Sequence, residues 1–154
     1  MVGIVDLGTG NLFSVIKSCE RSSVSFSIIT KPEDLPDHNV IILPGVGAFP
    51  TAIRNLSGNG MSVAIEKFVD DGKLLIGICL GMQLLMDSSE EHGYSEGLGL
   101  VSGTVKKLPD DMNLRRPNIG WNEIFIPDQG EGSCANRTHD GQDFYFAHSY
   151  YCEV

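Results

Sequence analysis

The residues with the clearest chemical potential are a cysteine and two glycines, each two positions away from it. Gly77, Cys79 and Gly81 form a Gly-x-Cys-x-Gly segment at the end of an apolar run. A nucleophile at a sharp strand-to-helix turn has a strained backbone, and side chains two residues away on either side would collide there. Glycine removes those side chains. The spacing therefore predicts a nucleophile elbow with Cys79 as the nucleophile.

The predicted turn also favours the reactive form of the cysteine. We predict a helix over residues 80–86, which places Cys79 at its N-terminus. Free N–H groups and the helix dipole favour a thiolate there, and the Leu80 N–H can point into an oxyanion hole. A free cysteine is more often a small buried hydrophobe. We give that interpretation to the other three cysteines, which are predicted to lie on a helix face (Cys19), in a loop (Cys134) and in a strand (Cys152).

A second glycine-rich turn follows another apolar run. Residues 40–43 are continuously apolar, and the turn Pro-Gly-Val-Gly comes directly after them at residues 44–47. Glycines at a strand end let backbone N–H groups approach a ligand closely, although the same pattern is common in plain turns. Because the carboxyl ends of parallel strands meet at one edge of a sheet, this turn and Cys79 would flank one pocket. The predicted oxyanion donors are Gly45, Val46, Gly47 and Leu80.

Strands and helices alternate over the first two-thirds of the chain. The apolar runs predict short strands at residues 2–6, 26–29, 40–43 and 73–78. Segments with helical periodicity predict helices at residues 12–21, 48–56 and 61–69. The continuous runs at 40–43 and 73–78 are typical of parallel strands that are buried on both faces. This order predicts an α/β fold with an open, mostly parallel, doubly wound sheet of the flavodoxin-like type.

The pattern changes after Gly97. Short strands predicted at 101–108, 123–126 and 144–147 are separated by loops, so this C-terminal part is expected to be antiparallel or mixed. Residues 128–143 are polar and rich in glycine, which predicts an exposed loop. The 154 residues are expected to form a single domain. Because the chain ends inside an apolar, aromatic stretch at 150–154, we expect that C-terminal strands are missing.

The bulk composition narrows the classes of partner. The formal net charge is −9, and an acidic surface repels phosphate backbones, so nucleic-acid binding is not expected. No apolar run is long enough to cross a membrane, and the N-terminus has no signal-peptide pattern. We therefore expect a cytoplasmic protein without disulfides. The four cysteines and four histidines show no metal-ligand spacing, so a structural metal is not expected.

Five motifs occur in an order that resembles one known family. They are Asp6-Leu7-Gly8-Thr9-Gly10-Asn11-Leu12, Leu43-Pro44-Gly45-Val46-Gly47-Ala48-Phe49, Gly77-Ile78-Cys79-Leu80-Gly81-Met82-Gln83-Leu84-Leu85, Gly120-Trp121-Asn122-Glu123 and Tyr145-Phe146-Ala147-His148-Ser149-Tyr150. Together they look like the glutaminase subunit of imidazole glycerol phosphate synthase, a class I (triad) glutamine amidotransferase of histidine biosynthesis. The likeness runs from residue 2 to the end of the chain. The Pro-Gly-Val-Gly turn separates this family from other triad amidotransferases, which usually carry Pro-Gly-Gly there.

The resemblance implies a reaction and a substrate pocket. Cys79 would attack the side-chain amide of glutamine, ammonia would leave, and water would hydrolyse the glutamyl thioester. In the family pattern Gln83 and Glu91 hold the substrate, with Glu91 facing its α-ammonium group. From the residues alone, Glu91 is equally a solvated charge at a helix end. The pocket would be completed by the backbone around His148, Ser149 and Tyr150.

The resemblance also implies a heterodimer. Ammonia would pass to a (β/α)8-barrel cyclase that makes imidazole glycerol phosphate. Trp121 and Asn122 match the segment that faces this partner, although a lone tryptophan is also compatible with a core position. The resemblance implies no cofactor.

One part of the family pattern is absent. A cysteine nucleophile needs a general base, which triad amidotransferases take from a C-terminal His-Pro-Glu motif. The chain has no such motif, and its histidines are His38, His92, His139 and His148. His148 matches the Tyr-Phe-x-His-Ser-Tyr segment and not the catalytic position, so no base or acid is assigned. We expect a domain truncated at its C-terminus that is inactive by itself.

Three alternatives stay open. The same chemistry could serve a partner that amidates a cell-surface sugar. A cysteine hydrolase or peptidase could use a similar elbow, although the Pro-Gly-Val-Gly and Gly-Trp-Asn segments argue against it. A non-catalytic interaction subunit could keep the fold without the His-Glu pair.

Overall fold

The computed structural model describes residues 1–8, 11–110, 116–125 and 140–154. Within these ranges the elements are, in chain order, β1 (Val2–Val5), α1 (Leu12–Arg21), β2 (Phe26–Ile29), a 3₁₀ helix (Pro32–Asp37), β3 (Val40–Gly45), α2 (Phe49–Gly58), α3 (Met61–Asp70), β4 (Leu74–Cys79), α4 (Leu80–Gln83), β5 (Met86–Ser89), β6 (Ser95–Glu96), β7 (Val101–Lys107), β8 (Asn118–Glu123), β9 (Asp143–His148) and β10 (Tyr150–Glu153). Thr9, Gly10, Cys134, His139 and most of the loop predicted at 128–143 lie outside the described residues.

The chain divides into two compact units. The first comprises Met1–Lys106 together with Cys152–Val154, and the second comprises Lys107–Tyr151. The elements of the predicted nucleophile elbow and of the glycine-rich turn all belong to the first unit, whereas Trp121 and His148 belong to the second.

A four-stranded parallel sheet forms the centre of the first unit. Its strand order is β2-β1-β3-β4, and every neighbouring pair is parallel. The connection through α1 and the connection through α2 and α3 run in opposite directions across the sheet, so right-handed crossovers place these helices on opposite faces. The predicted open, doubly wound, flavodoxin-like sheet is therefore confirmed.

The core of this unit lies on the face of the sheet that α2 and α3 cover. Apolar residues spaced three or four apart point to one side of each helix, where they are fully or almost fully buried. Ile41 and Leu43 of β3 are also fully buried. The buried helix residues are Phe49, Ala52 and Leu56 of α2 and Met61, Ile65 and Phe68 of α3.

The opposite face of the sheet is more exposed than the sequence predicted. The run before Cys79 was expected to be buried on both faces, but Leu74, Ile76 and Ile78 are 56%, 38% and 41% exposed. In the described part of the chain β4 is the edge strand of its sheet. Helix α1 connects β1 to β2, towards the other edge of the sheet from β4. Ile76 and Ile78 line an open apolar groove together with residues of α1, such as Val15 and Cys19.

The elbow helix is also shorter than predicted. It ends at Gln83 instead of Met86, and Met86 begins β5. The carbonyl of Leu84 accepts the Leu98 N–H, and the carbonyl of Leu85 accepts the N–H groups of Leu100 and Val101. Met86 pairs with Val101 of β7, which requires an extended backbone at Met86, and this tertiary pairing overrides the helical propensity of the segment.

The remaining strands form the mixed part that the sequence predicts. In the sheet ordered β10-β7-β5-β6, β5 pairs antiparallel with β6 and parallel with β7. In the second unit β8 and β9 form an antiparallel ribbon. The strand predicted at 123–126 was misplaced, because β8 ends at Glu123 and Ile124 and Phe125 are not in a strand. No helix in the described ranges is both long and apolar enough to span a membrane.

Candidate active site

Cys79 occupies a strained turn between β4 and α4. It is the last residue of β4 and the N-cap of α4, with φ 56° and ψ −118°. Only three described non-glycine residues have positive φ, and such a conformation is rare for residues with a side chain. The Cys79 side chain is exposed. The backbone therefore presents this thiol to solvent at the carboxyl edge of the parallel sheet, as the spacing of the glycines predicted.

The glycines around the elbow are required by space. A Cβ atom on Gly77 would lie 2.6 Å from the Cα of Met82, and one on Gly81 would overlap the carbonyl oxygen of Leu43. The first contact is with the helix that follows the nucleophile, and the second is with the neighbouring strand β3. The elbow can thus form only if both positions lack a side chain.

The end of β3 lies directly beside the elbow. Gly45 is in parallel register with Cys79, and a Cβ on Gly45 would lie 2.9 Å from the Gly81 nitrogen. Val46 and Gly47 follow at the same edge of the sheet, and both are exposed. Gly47 has φ +101°. The structure therefore brings the two predicted sources of oxyanion donors together, namely the turn after β3 and the first turn of α4, where Leu80 follows Cys79.

The position of Glu91 in the fold differs from the one that the sequence predicted. It was expected just after the elbow helix, but it is in the turn after β5. Its Oε2 accepts the backbone N–H of Phe49 at 2.7 Å, and its own N–H donates to Ser89 Oγ at 3.1 Å. Glu91 is half-buried. The interpretation as a solvated charge at a helix end is therefore wrong, because its carboxylate binds the first residue of α2.

Gln83, the other predicted substrate ligand of the first unit, ends α4. It follows Cys79 by one helical turn and is half-buried. A residue at this spacing lies on the same side of the helix as the elbow. The position is therefore compatible with contact to a molecule bound at Cys79.

His148 in the second unit has both ring nitrogens engaged. Its Nδ1 lies 2.9 Å from the Tyr150 carbonyl oxygen, and its Nε2 lies 3.1 Å from the Asn118 side-chain nitrogen. A carbonyl only accepts and an amide NH₂ only donates, so Nδ1 carries the proton and Nε2 accepts. The Ser149 carbonyl accepts the Leu108 N–H. These bonds fix the backbone at 148–150, and they leave His148 no free nitrogen to act as a base.

Trp121 is exposed on the β8–β9 ribbon. Its side chain is 71% exposed and packs edge to face with Tyr145, with ring centroids 5.7 Å apart. Ile119, two residues earlier on the same face of β8, is 61% exposed. The side chain of Asn122 donates to the Gly120 carbonyl. Trp121 is therefore not a core residue of its unit, which was the alternative interpretation.

The histidines described in the first unit are His38 and His92, and neither forms a hydrogen bond with the Cys79 thiol. His38 is buried, with Nε2 2.6 Å from Ser27 Oγ and Nδ1 3.0 Å from the Asp34 carbonyl oxygen. Within this unit none of the described side chains forms a hydrogen bond with the Cys79 thiol. The described residues also contain no group of three or more side chains that could hold a metal ion.

Similarity to known proteins agrees with the fold. Residues 2–110 match the CobB/CobQ-like glutamine amidotransferase domain family. A solved structure described as a crystal structure of glutamine amidotransferase shares the fold, with a TM-score of 0.73 at 19% identity over 99% of this chain and 74% of that one. The fold and the matched family define a glutamine amidotransferase.

Sequence relatives narrow this class to one family. The chain is 40% identical over 154 residues to imidazole glycerol phosphate synthase subunit HisH of Streptococcus sanguinis, covering 100% of this chain and 73% of that protein. It is 41% identical over 157 residues to the subunit of the same name from Bacillus subtilis, with 99% and 73% covered. The chain belongs to the HisH family, the glutaminase subunits of imidazole glycerol phosphate synthase in histidine biosynthesis. The resemblance carried by the five motifs is thereby confirmed.

Proposed function

We propose that this chain provides the glutaminase site in which Cys79 is the nucleophile. The thiolate attacks the side-chain amide carbon of glutamine, and the N–H groups of the turn after Gly45 and of Leu80 stabilise the oxyanion. Collapse of this intermediate releases ammonia and leaves a glutamyl thioester, which water hydrolyses to glutamate. The observation that carries the proposal is the strained, exposed Cys79 in register with Gly45.

The substrate pocket is proposed on residues of the first unit. Gln83 and the Glu91 carboxylate would hold the amino-acid end of glutamine. A carboxylate suits an α-ammonium group, because ammonium is a donor only.

We propose that the 154-residue chain by itself binds glutamine at Cys79 and turns it over very slowly. Attack on an amide needs a base for the thiol and an acid for the leaving ammonia. Among the described histidines, His38 is buried, His148 uses both nitrogens, and His92 forms no hydrogen bond with the Cys79 thiol. Steady-state glutaminase assays check this directly. Rapid turnover by the chain alone would contradict it.

The partner proposed for the released ammonia is a (β/α)8-barrel cyclase. The exposed face of the β8–β9 ribbon, defined by Ile119, Trp121 and Tyr145, supports this role together with Asn122. Aromatic side chains that are exposed in the free protein are typical anchors of interfaces. The relatives named as synthase subunits favour this partner over one that amidates a cell-surface sugar.

Affinity labelling tests the nucleophile. The probe is 2-amino-6-chloro-5-oxohexanoic acid, which replaces the amide nitrogen of glutamine by a chloromethyl group. Cys79 Sγ displaces chloride and forms a thioether, and the thiol proton passes to solvent. We expect one modification, located at Cys79 by peptide mass spectrometry, absent from Cys79→Ala and retained by Cys19→Ala. Labelling that is spread over several cysteines, or that persists in Cys79→Ala, would refute the proposal.

Binding of the cyclase tests the interface. Trp121→Ala is expected to weaken binding of a purified barrel cyclase by about 30-fold, the equivalent of ~2 kcal/mol for an anchor residue. Phe13→Ala is the matched control, because Phe13 is 67% exposed and lies in the first unit. Titration calorimetry measures both variants. Equal affinities for Trp121→Ala and the unaltered chain would show that the ribbon is not part of the interface.

A further inference from the structure

The N-terminus of α2 lacks a capping group of its own. Its N-cap is Ala48, whose side chain accepts no hydrogen bond, and its first turn contains no acidic residue. The second helical residue is Pro50, which has no N–H. The N–H groups of Thr51 and Ala52 both donate to the Ala48 carbonyl. The Phe49 N–H therefore needs an acceptor from another part of the chain.

Glu91 supplies that acceptor from 42 residues further along the chain. Its Oε2 takes the Phe49 N–H at 2.7 Å, which is a charge-assisted hydrogen bond at the positive end of a helix. The turn that carries Glu91 is itself anchored. Ser89 is fully buried and its hydroxyl accepts the Glu91 N–H, while the Glu90 N–H donates to the carbonyl of the buried Val105.

This bond closes one end of the proposed oxyanion turn. Only three residues, Val46, Gly47 and Ala48, separate Gly45 from Phe49. Gly45 is held by its pairing with β4 and by close packing against Gly81. Phe49 is held by its buried ring and by Glu91. Between these anchors Gly47 is exposed and a Cβ there would meet nothing within 4 Å, so its own surroundings do not fix it.

We infer that Glu91 is a positioning residue for the oxyanion donors. By holding the first amide of α2, its carboxylate sets where the Val46 and Gly47 N–H groups lie relative to Cys79. The inference rests on the proposed function of the turn after β3. It adds to the substrate contact that the family resemblance implies for Glu91, because that contact involves a ligand and this one involves the enzyme's own backbone.

The two contacts can coexist on one carboxylate. Oε2 binds Phe49, whereas within the first unit Oε1 forms no hydrogen bond or ion pair with any described residue. Oε1 is thus available to the α-ammonium of glutamine while Oε2 holds α2. Recognition of the amino acid and placement of the oxyanion donors would then depend on the same side chain.

Backbone measurements test the positioning role without any substrate. Glu91→Ala removes the acceptor, Glu91→Gln keeps an amide oxygen that can accept the Phe49 N–H, and Glu90→Ala is the control next to it. By NMR we expect Glu91→Ala to raise hydrogen exchange of the Phe49 amide at least about tenfold and to shift the Val46 and Gly47 amide signals. Glu91→Gln and Glu90→Ala should stay close to the unaltered chain. Unchanged Val46 and Gly47 signals in Glu91→Ala would overturn the inference.

A probe without an α-amino group tests the consequence for reactivity. 6-Chloro-5-oxohexanoic acid has the ketone that mimics the glutamine amide but no ammonium for Glu91 to bind. Labelling rates are divided by the rate with iodoacetamide, which needs no oxyanion hole. We expect Glu91→Ala to react about tenfold more slowly and Glu91→Gln to react like the unaltered chain. With the α-amino probe, both variants should be slower.

The outcomes separate this inference from the proposed function. If Glu91→Ala reacts with the probe lacking the amino group as fast as the unaltered chain does, Glu91 does not position the donors. If the unaltered chain is not labelled at Cys79 by either probe, the proposed function fails. The amide measurements then still decide whether Glu91 holds the turn.

Discussion

The two turns at the carboxyl edge of the parallel sheet are both rich in glycine, but for different physical reasons. At the elbow after β4, a side chain on Gly77 or Gly81 would collide with Met82 or with the Leu43 carbonyl. At the turn after β3, Gly47 faces open space and has φ +101°. The elbow needs glycine because a side chain would collide with neighbouring atoms. The turn after β3 needs glycine because its backbone has a positive φ.

The difference gives the proposed glutaminase site a rigid part and an adjustable part. Cys79 is held by close packing between α4 and β3, which leaves its backbone little freedom. The turn that would donate to the oxyanion is held only at its ends, by Gly45 and by the bond between Phe49 and Glu91. We therefore expect substitutions at the elbow to affect folding, and substitutions at the turn to affect reactivity more than folding.

The largest effect is expected for Gly81→Ala. Its Cβ would overlap the Leu43 carbonyl oxygen, so β3 and α4 must separate. We expect the free energy of unfolding to fall by about 3 kcal/mol or more, measured by urea denaturation. Gly58→Ala is the control, because Gly58 lies in α2 with no atom near its missing Cβ, and alanine there should add about 0.5 kcal/mol. Equal stabilities for the two variants would show that the elbow is not closely packed.

The strain at Cys79 gives the next largest effect. A residue with a side chain at φ 56° and ψ −118° is strained, and glycine is not. We expect Cys79→Gly to be about 2 kcal/mol more stable than Cys79→Ala, although neither variant can be labelled. The pair is compared by urea denaturation. A Cys79→Ala variant as stable as Cys79→Gly would mean that the backbone relaxes without the thiol.

A smaller effect on stability is expected for Gly47→Ala. The positive φ should lower the free energy of unfolding by about 1.5 kcal/mol without any collision. Gly72→Ala is matched to it, because Gly72 has φ +77°, open space and a position after α3. Both variants should lose similar stability, but only Gly47→Ala should slow labelling by the α-amino probe. Equal labelling rates for Gly47→Ala and Gly72→Ala would show that this turn is not part of the oxyanion hole.

The smallest effect on stability is expected for Glu91→Ala. Loss of a capping acceptor at α2 should lower the free energy of unfolding by about 1 kcal/mol, and Glu90→Ala should change it by less than about 0.5 kcal/mol. Thermal denaturation measures both. A loss as large as that of Gly81→Ala would mean that Glu91 supports the core of the unit as well as the turn.

Local sequence patterns predicted an element correctly where its tertiary contacts favour the same structure. The helix at Leu12–Arg21 and the strand at Phe26–Ile29 have the bounds that their periodicity predicts. The elbow was predictable because its glycine spacing is a steric requirement of the turn. The strand predicted at 123–126 was misplaced because pairing of β8 with β9, and not composition, decides where that ribbon begins and ends.

Every feature that the local sequence patterns did not reveal depends on contacts between residues that are far apart in the chain. Helix α4 ends at Gln83 because the segment after it pairs with a distant strand, with Met86 of β5 opposite Val101 of β7. The contact of Glu91 with Phe49 joins positions far apart in the chain. The missing cap at Ala48 was the one signal in the sequence that α2 must find an acceptor elsewhere, but it does not say which residue supplies it.

The sequence by itself determined the strand-to-helix elbow, the cysteine in it and the family, because residue type and spacing are enough to specify a turn that requires glycine at Gly77 and Gly81. The tertiary structure alone decided that Gly45 lies beside Cys79, that β4 keeps one exposed face, and that Glu91 holds α2. These facts depend on which strands pair and in which register, and that is a property of the packed chain, since no single segment contains both partners.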